Sequence, residues 1–213
     1  LAAVEALGVV CLEQGARLEA TAAGGGIGGL ASLQAVDSSV KLKASGAMGS
    51  MGGVTLENSS VTLVADQGVG ALGIVDLRAD SSLTISSAQG SLAGVDRISL
   101  AGSKLNVAAK GTIGLLGDLS LTVGSTMTLQ AEGDIARLGE ASITDSKLSA
   151  ASSGGAIGGL GRLHAVNSDV TLNAVGEVGD MNDVELSAGN FKAVADAGFG
   201  AIGDLQLAHG ASF

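Results

Sequence analysis

Apolar residues recur along this chain every 21 to 23 residues, and this period constrains the fold more than any other feature. The first apolar column consists of Val4, Ile27, Met48, Val69, Leu92, Ile113, Ile135, Ile157, Val178 and Phe199. The second column follows three residues later at Leu7, Leu30, Met51, Leu72, Val95, Leu116, Leu138, Leu160, Met181 and Ile202. Repeats of this length indicate a protein in which each unit stacks on the one before it.

Each repeat continues with alternating apolar and polar residues. In one repeat Val170, Leu172 and Ala174 alternate with Thr171 and Asn173, which is typical of a strand with one buried face. The pattern predicts an all-β fold, a parallel β-solenoid of about ten coils with three short strands per coil. An amphipathic helix is excluded because its spacing is never sustained, and a leucine-rich repeat is excluded because it needs an Asn or Cys at a fixed step.

Glycines occupy fixed positions in the coil. Gly24, Gly26 and Gly29 have the spacing of a dinucleotide-binding loop, but that loop leads into a helix and no helical pattern follows. We therefore interpret the glycines as corner residues. Two columns of them run through the repeats: Gly28, Gly49, Gly70, Gly114, Gly158, Gly179 and Gly200, then Gly52, Gly73, Gly117, Gly139, Gly161 and Gly203.

A longer period of 130 residues is superposed on the short one. Residues 24–46 match residues 154–176 at 14 of 23 positions without a gap, and the match extends over 24–80 and 154–210. Six coils thus form a second-order unit. We predict one solenoid segment over residues 1–213 without capping coils, and we take the chain, which begins with Leu, to be a piece of a longer or processed protein.

The composition limits the partners of this chain. The formal net charge is −10 and the charged residues form no basic cluster, which argues against binding of nucleic acid. We also expect no membrane insertion, because no apolar run is long enough to span a bilayer. Cys11 is the single cysteine, so an internal disulfide is excluded.

Candidate chemical groups are few. His164 and His209 lie outside the apolar columns, and we expect surface histidines without a carboxylate and nucleophile beside them. One charged column follows the second apolar column by two residues, and it predicts a ladder of surface ion pairs. Its members are Arg97, Asp118, Glu140, Arg162, Asp183 and Asp204. A divalent cation between the last two aspartates is an alternative to an ordinary acidic surface.

Hydroxyl residues also stack in columns. An outward column resembles the flat face of ice-binding proteins, but its neighbour does not match it, so an ordinary exposed strand is favoured. It consists of Thr62, Thr84, Asn106, Thr128, Ser149 and Thr171. A turn column predicts stacked hydroxyls and consists of Ser38, Ser59, Ser81, Ser103, Ser125, Ser146 and Ser168. The three aromatic residues, Phe191, Phe199 and Phe213, are all expected to point inward.

Two segments carry a resemblance to a known family. The sequences "LTVGSTMTLQAEGDI" (121–135) and "SLAGSKLNVAAKGTI" (99–113) resemble the repeats of filamentous-haemagglutinin-like adhesin stalks and other giant bacterial surface proteins. The resemblance implies a right-handed β-helix at the cell surface of a bacterium, or outside it, typically a Gram-negative one. It also implies partners, namely neighbouring coils or subunits stacked end to end and glycans of the cell surface or matrix.

The sequence thus predicts a structural or adhesive segment of an extracellular fibre. We predict no catalytic residue, no cofactor-binding residue and no metal ligand. A β-helical polysaccharide lyase or hydrolase remains an alternative, as does a ligand-binding solenoid such as an ice-binding protein. An enzyme would normally interrupt the period with a long active-site loop, and no insertion here exceeds a residue or two.

Overall fold

The computed structural model describes residues 3–213, so Leu1 and Ala2 of the predicted segment lie outside the described residues. Its secondary structure consists of β-strands joined by turns. The strands are β1 (Leu7–Leu12), β2 (Arg17–Ala22), β3 (Leu30–Val36), β4 (Ser39–Ala44), β5 (Met51–Glu57), β6 (Ser60–Ala65), β7 (Gly68–Val69), β8 (Leu72–Arg78), β9 (Ser82–Ser87), β10 (Ser91–Ala101), β11 (Lys104–Ala109), β12 (Ile113–Thr122), β13 (Thr126–Ala131), β14 (Leu138–Thr144), β15 (Lys147–Ser152), β16 (Leu160–Val166), β17 (Asp169–Ala174), β18 (Met181–Ser187), β19 (Asn190–Ala195) and β20 (Ile202–Ala208).

The strands form two parallel sheets. Sheet A has the order β1-β3-β5-β8-β10-β12-β14-β16-β18-β20, with the short β7 beside β10, and sheet B has the order β2-β4-β6-β9-β11-β13-β15-β17-β19. Successive long strands alternate between the sheets, so the chain makes one turn for each pair of them. The predicted all-β parallel solenoid is confirmed, with nine complete turns, since sheet B ends one strand before sheet A.

The third strand of the coil is mostly reduced to one residue. Val4, Ile27, Met48 and Val69 pair through isolated parallel bridges, and the same holds for the column from Ile113 onward. A longer third segment occurs at β7 and where it merges into β10 and β12. Glycine lies beside the bridging residue at Ile27, Met48 and Ile157, and glycine weakens a strand because it has no side chain to pack.

The core lies inside the coils and runs along the whole solenoid. Residues from both sheets and from the bridging column belong to one hydrophobic cluster. Among residues 3–213 every buried polar side chain is a serine. Ser87 and Ser152, the two polar residues at inward positions, accept hydrogen bonds from the N–H groups of Gly90 and Gly155. The interior therefore holds no charge.

The glycine corner, formed by the two glycine columns named above, is set by close approach of successive coils. A Cβ atom on Gly28 would lie 2.6 Å from the backbone nitrogen of Ala6, and one on Gly158 would lie 2.7 Å from that of Arg137. Real Cβ atoms do not approach backbone this closely. These positions require glycine because neighbouring coils touch there.

The last coil leaves its apolar residues uncovered. Phe199, Ile202, Leu205 and Leu207 are 37% to 49% exposed, whereas their counterparts in the preceding coil are buried. No helix of the described chain has the length and hydropathy needed to cross a membrane.

Candidate functional site

The charged column lies on the outer face of sheet A, in the predicted register. Arg97 pairs with Asp118 across β10 and β12, Glu140 pairs with Arg162 across β14 and β16, and Asp183 follows on β18. The predicted ion pairs form only in part. In residues 3–213 the column has one ion pair, between Nε of Arg162 and Oδ2 of Asp183 at 3.4 Å.

A histidine lies beside this column. Nδ1 of His164 is 3.0 Å from Oε2 of Glu185, so a carboxylate lies beside this histidine, although the expectation concerned a carboxylate together with a nucleophile. Nδ1 of His209 is 3.0 Å from Oγ of Ser187. The carboxylate therefore contacts one histidine and the hydroxyl contacts the other. A nucleophilic triad needs both on the same ring.

The aspartates considered for a cation, Asp183 and Asp204, are neighbours in the register of β18 and β20. Asp183 contacts Arg162, which neutralises part of its charge. No cluster of three or more His, Cys, Asp or Glu side chains suited to a metal ion occurs within residues 3–213.

The serine column forms two hydrogen-bonded runs, from Ser38 to Ser81 and from Ser103 to Ser168, which confirms the predicted stacking of hydroxyls. The backbone N–H of Ser125 donates to Oγ of Ser146, and that of Ser146 donates to Oγ of Ser168. Each of these hydroxyls also donates to a carbonyl at the end of its own sheet A strand. The seven serines are at most 7% exposed. We call this turn the serine corner.

The residue before each of these serines adopts a left-handed backbone conformation. Asp37, Asn58, Asp145 and Asn167 have φ between 45° and 50°. Asn and Asp tolerate this region better than other non-glycine residues. Nδ2 of Asn58 donates to Oδ1 of Asp37, and Nδ2 of Asn167 donates to Oδ1 of Asp145, each at 2.6 Å. This column was not predicted, although its signal in the sequence is an Asn, Asp or Gly before each serine.

The threonine column is in register on the outer face of sheet B. Lysines flank it, because Lys41 pairs with Thr62 and Lys192 pairs with Thr171. Nζ of Lys41 lies 3.2 Å from Oε1 of Glu19, and this contact lowers the pKa of the Glu19 carboxyl, as does its hydrogen bond from Arg17. Charged side chains thus lie at both ends of the threonine column.

The pKa of Asp169 is lowered, since Asn190 and Lys147 both donate hydrogen bonds to its carboxylate. On sheet A, a hydrogen bond to Asp76 raises the pKa of Arg78. Both groups are on the surface. The contacts of Asp169 join neighbouring coils, whereas the contact of Arg78 with Asp76 lies within β8.

The outer face of sheet A also forms a shallow groove across four coils, which the sequence analysis did not predict. The groove encloses about 400 Å³. Its outward side chains come from β10, β12, β14 and β16: Arg97, Ser99, Asp118, Ser120, Glu140, Ser142, Arg162 and His164. Two columns of polar side chains thus run side by side along the solenoid axis.

Only one of the three phenylalanines is buried, whereas all three were predicted to point inward. Phe191 is buried at 3% exposure, but Phe199 and Phe213 are 49% and 48% exposed. The rings of Phe191 and Phe213 stack with centroids 4.8 Å apart. The register was predicted for these positions, but burial also needs a following coil, and none covers them among residues 3–213.

Comparison of the chain with protein families, with characterised proteins and with solved structures finds no match. The fold is therefore established by the structure itself.

Proposed function

We propose that this chain is a structural or adhesive segment of an extracellular bacterial fibre, acting as a stiff, repetitive stalk. The unbroken pairing of both sheets from β1 to β20 carries this proposal. A rod of stacked coils gains length with each coil and keeps the same cross-section. The resemblance of its repeats to those of filamentous-haemagglutinin-like stalks supports the same role at the surface of a Gram-negative cell.

The distribution of charge supports a solvated rod. Charged side chains lie on the outside of the coils, and the net charge of −10 favours solubility. The coil length varies only at corners, so the sheets keep their register throughout. Such a surface offers the same few columns over a long distance, which suits repeated weak contacts.

We further propose that the open face of the last coil is covered by more coils or by a second copy stacked end to end. Ile202 and Leu205 are 37% and 42% exposed there, and β20 presents an unpaired strand edge. Exposed edges and apolar cross-sections promote association. Sedimentation tests this directly. We expect the 213-residue chain to associate with rising concentration, and the Ile202→Lys/Leu205→Lys variant to be monomeric.

A matched control for this test is Asn106→Lys/Thr128→Lys, which adds the same charge to the outer face of sheet B. It should associate like the original chain. A monomer at every concentration of the unmodified chain contradicts the stacking proposal.

The stalk itself is tested by immunoelectron microscopy of the source bacterium with antibodies against this segment. We expect label on fibres outside the cell, displaced from the envelope. Label confined to the cytoplasm refutes the proposal. Imaging of the isolated chain should show a rod about 43 Å long, given nine steps of about 4.8 Å between the ten long strands of sheet A.

A further inference from the structure

The outer faces of the two sheets carry opposite net charges. The strands of sheet B contain six basic and two acidic residues, a net charge of +4. The strands of sheet A contain eight acidic and three basic residues, a net charge of −5. Because the interior holds no charge, these side chains all lie on the outside. The chain is therefore acidic as a whole but has one basic face, whose cations are Arg17, Lys41, Lys43, Lys104, Lys147 and Lys192.

Each face has charged side chains left over after the ion pairs within the rod are formed. Among the described residues, Lys43, Lys104 and Lys192 on sheet B take part in no ion pair, and the same is true of Asp118 and Glu140 on sheet A. All five residues are exposed. Opposite charges without partners thus lie on opposite sides of the rod, where they cannot reach each other within one chain.

The two faces also match in period and size. Both are built from the same coils, so their rows of side chains repeat at the same step of about 4.8 Å and can interdigitate. Sheet B has nine strands of six residues, which gives a face of about 43 by 20 Å. Contact over this face would bury about 1,700 Å² of the two partners together, which is the size of a standard protein interface.

The net charge of −10 does not prevent such a contact, because most of it lies on the turns. The turns carry eleven acidic and two basic residues. Face-to-face contact keeps equivalent turns of two rods about 20 Å apart, since one sheet spacing of about 10 Å lies within a rod and another lies between rods. This distance exceeds the Debye length of about 8 Å at physiological ionic strength. Repulsion between turns is therefore screened, whereas the charges of the faces meet in contact.

We propose that the outer face of sheet B docks side by side on the outer face of sheet A of a second copy of this chain. The free lysines of one copy meet the free carboxylates of the other. The two faces differ, so each rod can bind one neighbour on either side and the contact propagates into layers. Exposed ion pairs are individually weak, so single segments stay apart in dilute solution. In the stalk proposed above the faces recur along the rod, and the contacts add up.

Cys11 allows this contact to be detected. It is the single cysteine of the chain, and it is exposed on the outer face of β1 in sheet A. A chain with a nitroxide spin label on Cys11 is mixed at millimolar concentration with an isotope-labelled Cys11→Ser chain. Both carry Ile202→Lys/Leu205→Lys, which suppresses end-to-end association. We expect NMR line broadening of the isotope-labelled amides to be stronger in sheet B than in sheet A.

Charge reversal tests the assigned faces. Lys104→Glu/Lys192→Glu in the isotope-labelled chain should reduce the broadening by about fivefold or more, because two attractive contacts become repulsive. Lys110→Glu/Arg137→Glu changes the net charge equally but alters the turns, and it should leave the broadening unchanged. Asp118→Lys/Glu140→Lys in the spin-labelled chain should restore the broadening of Lys104→Glu/Lys192→Glu, since the two faces are complementary again.

Three results overturn the proposal. The first is the absence of broadening at millimolar concentration, including the case in which polyglutamate shifts the sheet B amides and so assigns that face to another acidic partner. The second is broadening that is as strong in sheet A as in sheet B. The third is an equal loss of broadening in the turn control. The stalk proposal is judged by the position of antibody label on the bacterium, so the two proposals fail independently.

Discussion

The two corners of the coil reverse the chain by different physical means. At the serine corner, a left-handed residue turns the chain and a buried hydroxyl bonds the backbone of the neighbouring coil. At the glycine corner, the backbones of successive coils come so close that a Cβ atom has no room. The first corner depends on hydrogen bonds, which can be weakened one at a time. The second depends on excluded volume, since a Cβ on these glycines would overlap the backbone of a neighbouring coil, although Ala93 and Ala136 occupy the same column in two other coils.

The largest loss of stability is expected from a substitution in the strand between the two corners. Leu129→Asp should lower the free energy of unfolding by several kcal/mol, since Leu129 is fully buried and a carboxylate there has no partner. Thr128→Asp, one residue away on the outer face, should cost little. Chemical denaturation measures both variants. Equal destabilisation contradicts the register of sheet B.

The glycine corner should be next in sensitivity. A Cβ on Gly52 would overlap the carbonyl oxygen of Ala31, whereas one on the adjacent Gly53 would lie 3.6 Å from that of Ile74. We expect Gly52→Ala to cost about 2 to 4 kcal/mol, and Gly53→Ala to be close to neutral. Thermal unfolding compares the pair. Similar costs would mean that excluded volume does not define this corner.

The serine corner should tolerate the loss of one hydroxyl better. Ser125→Ala removes the acceptor for the N–H of Ser103 and leaves that buried group unpaired. We expect a cost of about 1 to 3 kcal/mol. Ser120→Ala, on the exposed face of sheet A, is the control and should cost less than about 0.5 kcal/mol. A larger loss for Ser120 would reverse the comparison.

At the left-handed turn, one substitution is expected to raise the stability of the chain rather than lower it. Val123 is 72% exposed with φ of 59°, which a β-branched residue adopts only at a cost. Val123→Asn should therefore stabilise the chain by about 1 kcal/mol. Val194→Asn, at an exposed position within β19, should give no gain. A loss at both positions would show that the corner does not select for backbone conformation.

The smallest effect concerns pH. The pKa of Asp169 is lowered in the folded chain by Asn190 and Lys147, so its contribution to stability is complete above the ordinary aspartate pKa. That contribution is lost as the pH falls through the lowered value. We expect the stability difference between the original chain and Asp169→Asn to shrink in acid. A difference that grows in acid would contradict the assigned contacts.

The apolar columns allowed much of this fold to be predicted. Val4 and Ile27 pair as the first column requires, and Leu7 and Leu30 pair as the second requires, because inward positions tolerate few alternatives. The length of the third strand in each coil was overestimated. A recurring apolar residue looks the same in the sequence whether it forms a single bridge or part of a longer strand.

The surface was less predictable. The register of Arg97 and Asp118 followed from the period, but long exposed side chains have many rotamers and little energy to choose between them. The groove on sheet A was not predicted, because it is formed by two neighbouring columns of side chains rather than by one. The contact of His164 with Glu185 was also missed, although the same register implied it.

All backbone hydrogen bonds between coils run along the axis of the solenoid, and this has a mechanical consequence. A pull along that axis loads the interfaces between coils in series, so coils should detach singly from a free end. Each coil of 21 to 23 residues releases roughly 70 Å of extended chain. A fibre built this way resists bending at rest but lengthens under tension, in a sawtooth of nearly equal steps.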